Sequence, residues 1–188
     1  MKKLFLIKAT LLVFLLLSIN TIAQTDSDST KTTQKKYQAK APKTQPFGKE
    51  AFGKSKETTL RWLGMAGFLI NSRGTTFMVD PLLEGFDMPL LIDFPILTKD
   101  VPHLDAVFVT HADNDHFSVP TNVAISKISD VYHSTVYVDS LMKNLNLKSV
   151  GHEIGETFKV KNISVKLTPA DHAYQNAYPG MSTRWFKN

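Results

Sequence analysis

The chain has 188 residues, 43% of them hydrophobic, which supports one domain with a real core and excludes both disorder throughout and a second large domain. The formal charge of +5 lies at the N-terminus: residues 1–23 carry three lysines and no acid, and residues 24–58 eight lysines against four acids. That leaves residues 59–188 mildly acidic, without the basic face a nucleic-acid partner requires, and the absence of cysteine excludes disulfides and thiolate-held zinc.

Lys2 and Lys3, the apolar run Leu11 to Leu17 and the small-residue context Thr21-Ile22-Ala23 form a signal-peptide pattern, so residues 1–23 are expected to direct export to the periplasm or beyond. The uncharged stretch between Lys8 and Asp26 contains Ser18, Asn20, Thr21, Gln24 and Thr25, which argues against a stable membrane span. Residues 24–58 are rich in Lys, Thr, Gln and Ser, and are expected to form a flexible basic linker.

From residue 59 the pattern changes. Thr59 to Leu63, Phe68 to Asn71 and Thr76 to Asp80 read as strands, the last two joined by the turn Ser72-Arg73-Gly74-Thr75. After a proline-rich stretch, Asp105 to Thr110 reads as a buried strand. Ser118 followed by Pro120 starts a helix, and a short strand at Val131 to His133 precedes a second helix from Ser134 to Asn144. Lys148 to Ile154, Thr157 to Val160 and Ile163 to Thr168 complete the strands. Strands mixed with helices, with no internal repeat, indicate a layered α/β domain.

The segment His111-Ala112-Asp113-Asn114-Asp115-His116 brings two imidazoles and two carboxylates together directly after an apolar strand. Alternate residues of a turn can point the same way, so His111 and Asp113 are expected to serve one ion, and Asp115 and His116 another. Imidazole with carboxylate suits zinc, manganese or iron. The alternatives are an acidic, solvated turn and a calcium loop, of which the calcium loop fails: counted from Asp113, Ser118 stands where glycine is needed and Ala124 where the bidentate glutamate belongs.

Several separated motifs carry a resemblance over residues 59 to about 175: RWLGMAGFLI from Arg61, then Gly74 and Val79-Asp80-Pro81, then DAVFVT from Asp105 running into HADNDH. Together they resemble the metallo-β-lactamase superfamily, in particular the branch of L-ascorbate-6-phosphate lactonases and N-acyl-phosphatidylethanolamine phospholipase D. The resemblance implies an αββα sandwich built of two related halves, of which residues 59–188 are expected to supply the N-terminal one. It implies one or two divalent ions, zinc with manganese or iron as alternatives, held by His111, Asp113, Asp115, His116 and His172. Asp113 stands where the family has a histidine, and His172 fits the histidine expected after Thr168-Pro169-Ala170. Asp115 would also orient the attacking water, and Asp80 would orient ligands from beside the site. The implied activity is hydrolysis of a lactone, amide or phosphodiester bond in a small-molecule or lipid-like substrate. The alternative is a non-catalytic half-domain that binds metal or a partner.

His103, His133 and His152 match no ligand position and are expected to be surface or internally satisfied histidines. Trp62 and Phe68 are expected in the core, and Met65 stands where the family often has histidine. Tyr174 and Tyr178 could line a site mouth or equally shield the edge of a half-domain, and Trp185 and Phe186 read as part of a strand.

Overall fold

Three successive apolar runs fold as the antiparallel start of one sheet in the computed structural model, which describes residues 40–170. They are β1 (Thr58–Gly64), β2 (Gly67–Ser72) and β3 (Thr75–Val79). Arg73 and Gly74 both have positive φ, 54° and 91°, and Ser72 pairs with Thr75. A two-residue turn of that hand matches the right-handed twist of its strands. Three parallel strands extend the sheet: β4 (Ala106–Val109), β5 (Tyr132–Thr135) and β6 (Ser149–His152), giving the order β1-β2-β3-β4-β5-β6. The crossovers from β4 to β5 and from β5 to β6 contain α1 (Val119–Ala124) and α2 (Val136–Asn144). A separate antiparallel hairpin, β7 (Thr157–Val160) and β8 (Ile163–Lys166), follows.

Strand alternation sends side chains to two faces. Leu63, Leu69, Met78, Val107, Val109 and Tyr132 pack with Val138 and Met142 of α2 and with Ile125 just past α1, forming the main core. The opposite face carries Phe77, Ala106, Val79 and Phe108, partly covered by Phe158, Val160 and Ile163 of the hairpin. The layered α/β reading therefore holds.

Among the boundaries that differ from expectation, two have a clear physical cause. Ser134 and Thr135 are not helical; they pair with Gly151 and His152 of β6, and the Thr135 side chain accepts a hydrogen bond from Val138 N as the cap of α2. Cap chemistry suits a threonine better than a helix interior does. The described end of the expected linker is packed on the domain: Ala51 is buried, Phe47 and Phe52 lie against the core, and the Asn71 side chain donates to the carbonyls of Ala51 and Gly53 at 2.9 and 2.8 Å. Three apolar side chains spread through a lysine-rich stretch suffice to dock it.

His133 and His152 are buried and partnered. His152 Nδ1 lies 2.8 Å from Glu156 Oε1, and His152 Nε2 lies 2.9 Å from His133 Nδ1. With the carboxylate accepting, His152 donates from Nδ1 and accepts from His133, so the chain has one direction. Phe158 stacks on His152 with centroids 3.6 Å apart, and Phe108 stacks on His133. Burial, reinforced by His152, pushes the His133 pKa down to about 4. The unfolded imidazole binds its proton near pH 6.5 while the folded one does not until about pH 4, so the unfolded state holds more protons across that window. Stability is therefore expected to fall as pH drops from about 6.5 to 4, by on the order of 2–3 kcal/mol from this group. Urea denaturation of wild type and His133→Gln across that range checks it; parallel pH profiles for the two would refute the assignment.

Candidate metal centre

β1 runs antiparallel to β2, and β2 antiparallel to β3, so β1, β3 and β4 end at the same edge of the sheet. Gly64, Asp80 and Thr110 emerge there. Asp80 is buried and has φ +43°, an uncommon conformation for a residue with a side chain. Its own N–H still donates to Phe108 O at 2.8 Å, so the chain turns sharply while staying tied to β4. The turn is packed tightly: a Cβ at Gly67 would stand 3.1 Å from Asp80 O.

The Asp80 carboxylate collects the site. Oδ1 accepts from Thr110 N at 2.7 Å, and Oδ2 accepts from Thr110 Oγ1 at 2.7 Å and pairs with His116 Nδ1 at 2.8 Å. Thr110 Oγ1 is also 2.9 Å from His111 Nδ1. The two imidazoles lie side by side, with centroids 3.9 Å apart. Burial opposes protonation of His116, but the hydrogen bond and charge of Asp80, with the charges of Asp115 and Asp113, outweigh it and raise its pKa.

Residues 113–117 form a tight turn in which His116 N and Phe117 N both donate to Asp113 O, at 2.9 and 2.6 Å. Buried Phe117 anchors the turn in the core. Ser118 then caps α1, accepting from Thr121 N, and its hydroxyl donates to Glu84 O at 2.7 Å. Leu83 N donates to Thr121 Oγ1 at 2.9 Å, so the loop after Asp80 is knitted to the helix that follows His116.

The donors of the histidine motif come together as two pairs. His111 Nε2 and Asp113 Oδ2 are 3.4 Å apart, and His116 Nε2 and Asp115 Oδ2 are 3.6 Å apart. Ligand bonds of about 2.0–2.2 Å at a tetrahedral ion put neighbouring donors about 3.3–3.6 Å apart, so each pair matches one edge of such a shell. The residue types suit a divalent ion and each pair supplies two donors; among the described residues three such donors converge only at His103, Asp105 and Asp130. His172, Tyr174, Tyr178, Trp185 and Phe186 lie outside the described residues.

A grouping of three donors within 4.8 Å occurs elsewhere, at His103, Asp105 and Asp130. There Lys161 Nζ forms a close ion pair with buried Asp105. Burial raises the Asp105 pKa, yet the hydrogen bonds from Lys161 and Thr76 N prevail and lower it overall. A protein ammonium thus already supplies the cation at that cluster, and His103 is a surface partner in it.

Trp62 departs from expectation. The residue is 42% exposed and its Nε1 donates to Met65 O at 2.9 Å, so it braces the β1–β2 turn from outside the core. With Met65, Leu82, Phe86, Met88 and Leu91 it lines an apolar cavity of about 350 Å³. Two of its lining residues are close in sequence to the site: Met65 belongs to the turn whose Gly67 packs on Asp80, and Leu82 follows Asp80 by two residues. The exposure of Met65, Met88 and Leu91 depends on how the loop after Asp80 folds, which strand periodicity does not reveal.

Residues 59–185 match the family described as the beta-lactamase superfamily domain. A UPF0173 metal-dependent hydrolase of Thermus thermophilus is 31% identical over 114 residues, covering 61% of this chain and 47% of that protein. One from Nanoarchaeum equitans is 27% identical over 122 residues, covering 64% and 48%. The chain thus spans about half the length of these curated relatives. Among solved structures, Igni18, a metallo hydrolase from Ignicoccus hospitalis, aligns with a TM-score of 0.46 at 20% identity, covering 62% of this chain and 50% of that one. By the family match over residues 59–185, more than half of its length, the chain belongs to the β-lactamase superfamily, and its layered α/β sheet is metallo-β-lactamase-like.

Proposed function

We propose that the chain carries the metal-binding half of a hydrolase site, with His111 and Asp113 serving one divalent ion and Asp115 and His116 a second. The observation that supports this best is the Asp80 carboxylate hydrogen-bonded to Thr110 and His116 behind two donor pairs of ligand spacing. Resemblance adds His172 to the first ion. Zinc suits this donor set, with manganese or iron as alternatives. When bound, the ions supply a water acidified toward neutral pH and an electrophile for the bond under attack. The chain's own residues do the rest: Asp80 and Thr110 hold the imidazoles, and Asp115 orients the nucleophile.

A lactone, amide or phosphodiester fits this chemistry, and the ascorbate-phosphate lactonase and phospholipase D branch is the sequence resemblance behind that range. The apolar cavity lined by Trp62, Met65 and Leu82 favours a substrate with a hydrocarbon part over a wholly polar one. Residues 1–23 read as an export signal, residues 24–58 as the connecting segment and residues 59–188 as the metallo-β-lactamase-like part, which suggests a substrate outside the cytoplasm.

The full chain is expected to bind divalent metal and to lose it on His116→Ala, with hydrolysis of lactone, ester or phosphodiester probes falling at least about 100-fold. Metal analysis and rates before and after chelation check both; hydrolysis indifferent to chelator and to His116→Ala would overturn the proposal. Within an ester series, longer acyl chains are expected to react with lower KM, and Leu91→Asp, at an exposed cavity wall, to erase about tenfold of that preference. A KM independent of chain length would remove the hydrocarbon reading.

A further inference from the structure

The Asp80 carboxylate touches His116 directly but reaches His111 only through Thr110. We propose that the Thr110 hydroxyl is a positioning group that passes the carboxylate's orienting effect to His111, fixing its proton on Nδ1 and leaving the Nε2 lone pair toward Asp113. The proposal rests on the metal-centre reading for its purpose, and on hydrogen-bond counting for its direction.

An ionised carboxylate only accepts, and a threonine hydroxyl has one proton to give. Asp80 Oδ2 takes that proton across 2.7 Å. What Thr110 Oγ1 then turns toward His111 Nδ1, 2.9 Å away, is a lone pair, so the imidazole must bring the proton. His116 is no competitor, because its Nδ1 is 3.5 Å from the hydroxyl and 2.8 Å from Asp80 itself. Both rings therefore carry hydrogen on Nδ1, and both Nε2 atoms face a carboxylate of the motif, Asp113 for His111 and Asp115 for His116. A metal-ligating histidine is oriented in this way by a partner on its other nitrogen. A β-branched residue also suits the position: Thr110 N stays bound to Asp80 Oδ1 at 2.7 Å, so the backbone registers the hydroxyl independently of the ring it serves.

The test uses the full chain, metal-stripped and labelled with ¹⁵N in its imidazoles, at about pH 8, where an ordinary histidine is neutral. Long-range ¹H–¹⁵N correlation should show His111 protonated on Nδ1 in wild type, and a wild-type proton on Nε2 would by itself end the proposal. In Thr110→Val, which keeps the shape and the backbone hydrogen bond, His111 should lose that preference while His116 retains its own. Zinc affinity should fall about 10–100-fold in the valine variant and return to within about threefold in Thr110→Ser. An unchanged His111 tautomer in Thr110→Val, or equal weakening by valine and serine, would show that the hydroxyl does no orienting. If wild type binds no divalent ion yet valine still shifts the His111 tautomer, the metal-centre reading fails and the relay stands.

Discussion

A single carboxylate, Asp80, organises the edge of the sheet where the chemistry gathers. It leaves β3 in a left-handed conformation, a local cost of order 1–3 kcal/mol that persists only where surroundings over-determine it. The surroundings are visible: its N–H is held by Phe108, its carbonyl is packed against Gly67, and its carboxylate accepts from the Thr110 amide and hydroxyl. His116 completes the set. Buried carboxylates need such satisfaction. The strain aims Asp80 at the loop after β4, where side chains from separate segments are brought to one point.

Topology explains why those segments meet. A hairpin start followed by parallel strands leaves the ends of β1, β3 and β4 on one side, and loops at that side carry the glycine turn, Asp80 and the histidine motif. The α1 cap then binds the loop that follows Asp80, through Ser118 and Thr121. The same backbone that positions the imidazoles thus positions one wall of the apolar cavity. Donor geometry and the nearby apolar surface are therefore coupled outcomes of one loop arrangement rather than separate features.

Much of this is legible in the residues alone. Short apolar runs and the Arg73-Gly74 turn identify the first three strands to within a residue or two, because both faces of the sheet are apolar and the turn chemistry is local. The motif from His111 to His116 stands out because packing gives no reason for four such side chains together. Other features depend on distant contacts. The Glu156, His152 and His133 chain joins the link between β6 and β7 to two strands, so nothing in the spacing 133, 152, 156 announces it. Docking of Phe47, Ala51 and Phe52 is masked by the lysines around them. Trp62 lies on the same exposed side of β1 as Leu60, opposite buried Leu63, and its apolar character alone does not say which side of the strand that is.

The two acidic clusters show what separates a structural ion pair from a centre able to hold metal. At Asp105 the protein supplies its own cation: Lys161 closes on the buried carboxylate, and His103 shares it from the surface. Three donors converge there, but an arriving ion would have to displace an ammonium already bound to the most buried of them. At the end of β4 the groups facing Asp80 and Asp115 are an imidazole and a hydroxyl, and the imidazole nitrogen nearest Asp115 is not the one engaged by Asp80. Neutral imidazole leaves that nitrogen a lone pair, which an ammonium never has. Identity of the counter-group, more than the number of converging donors, is therefore what supports the histidine motif over the Asp105 cluster as the proposed metal site.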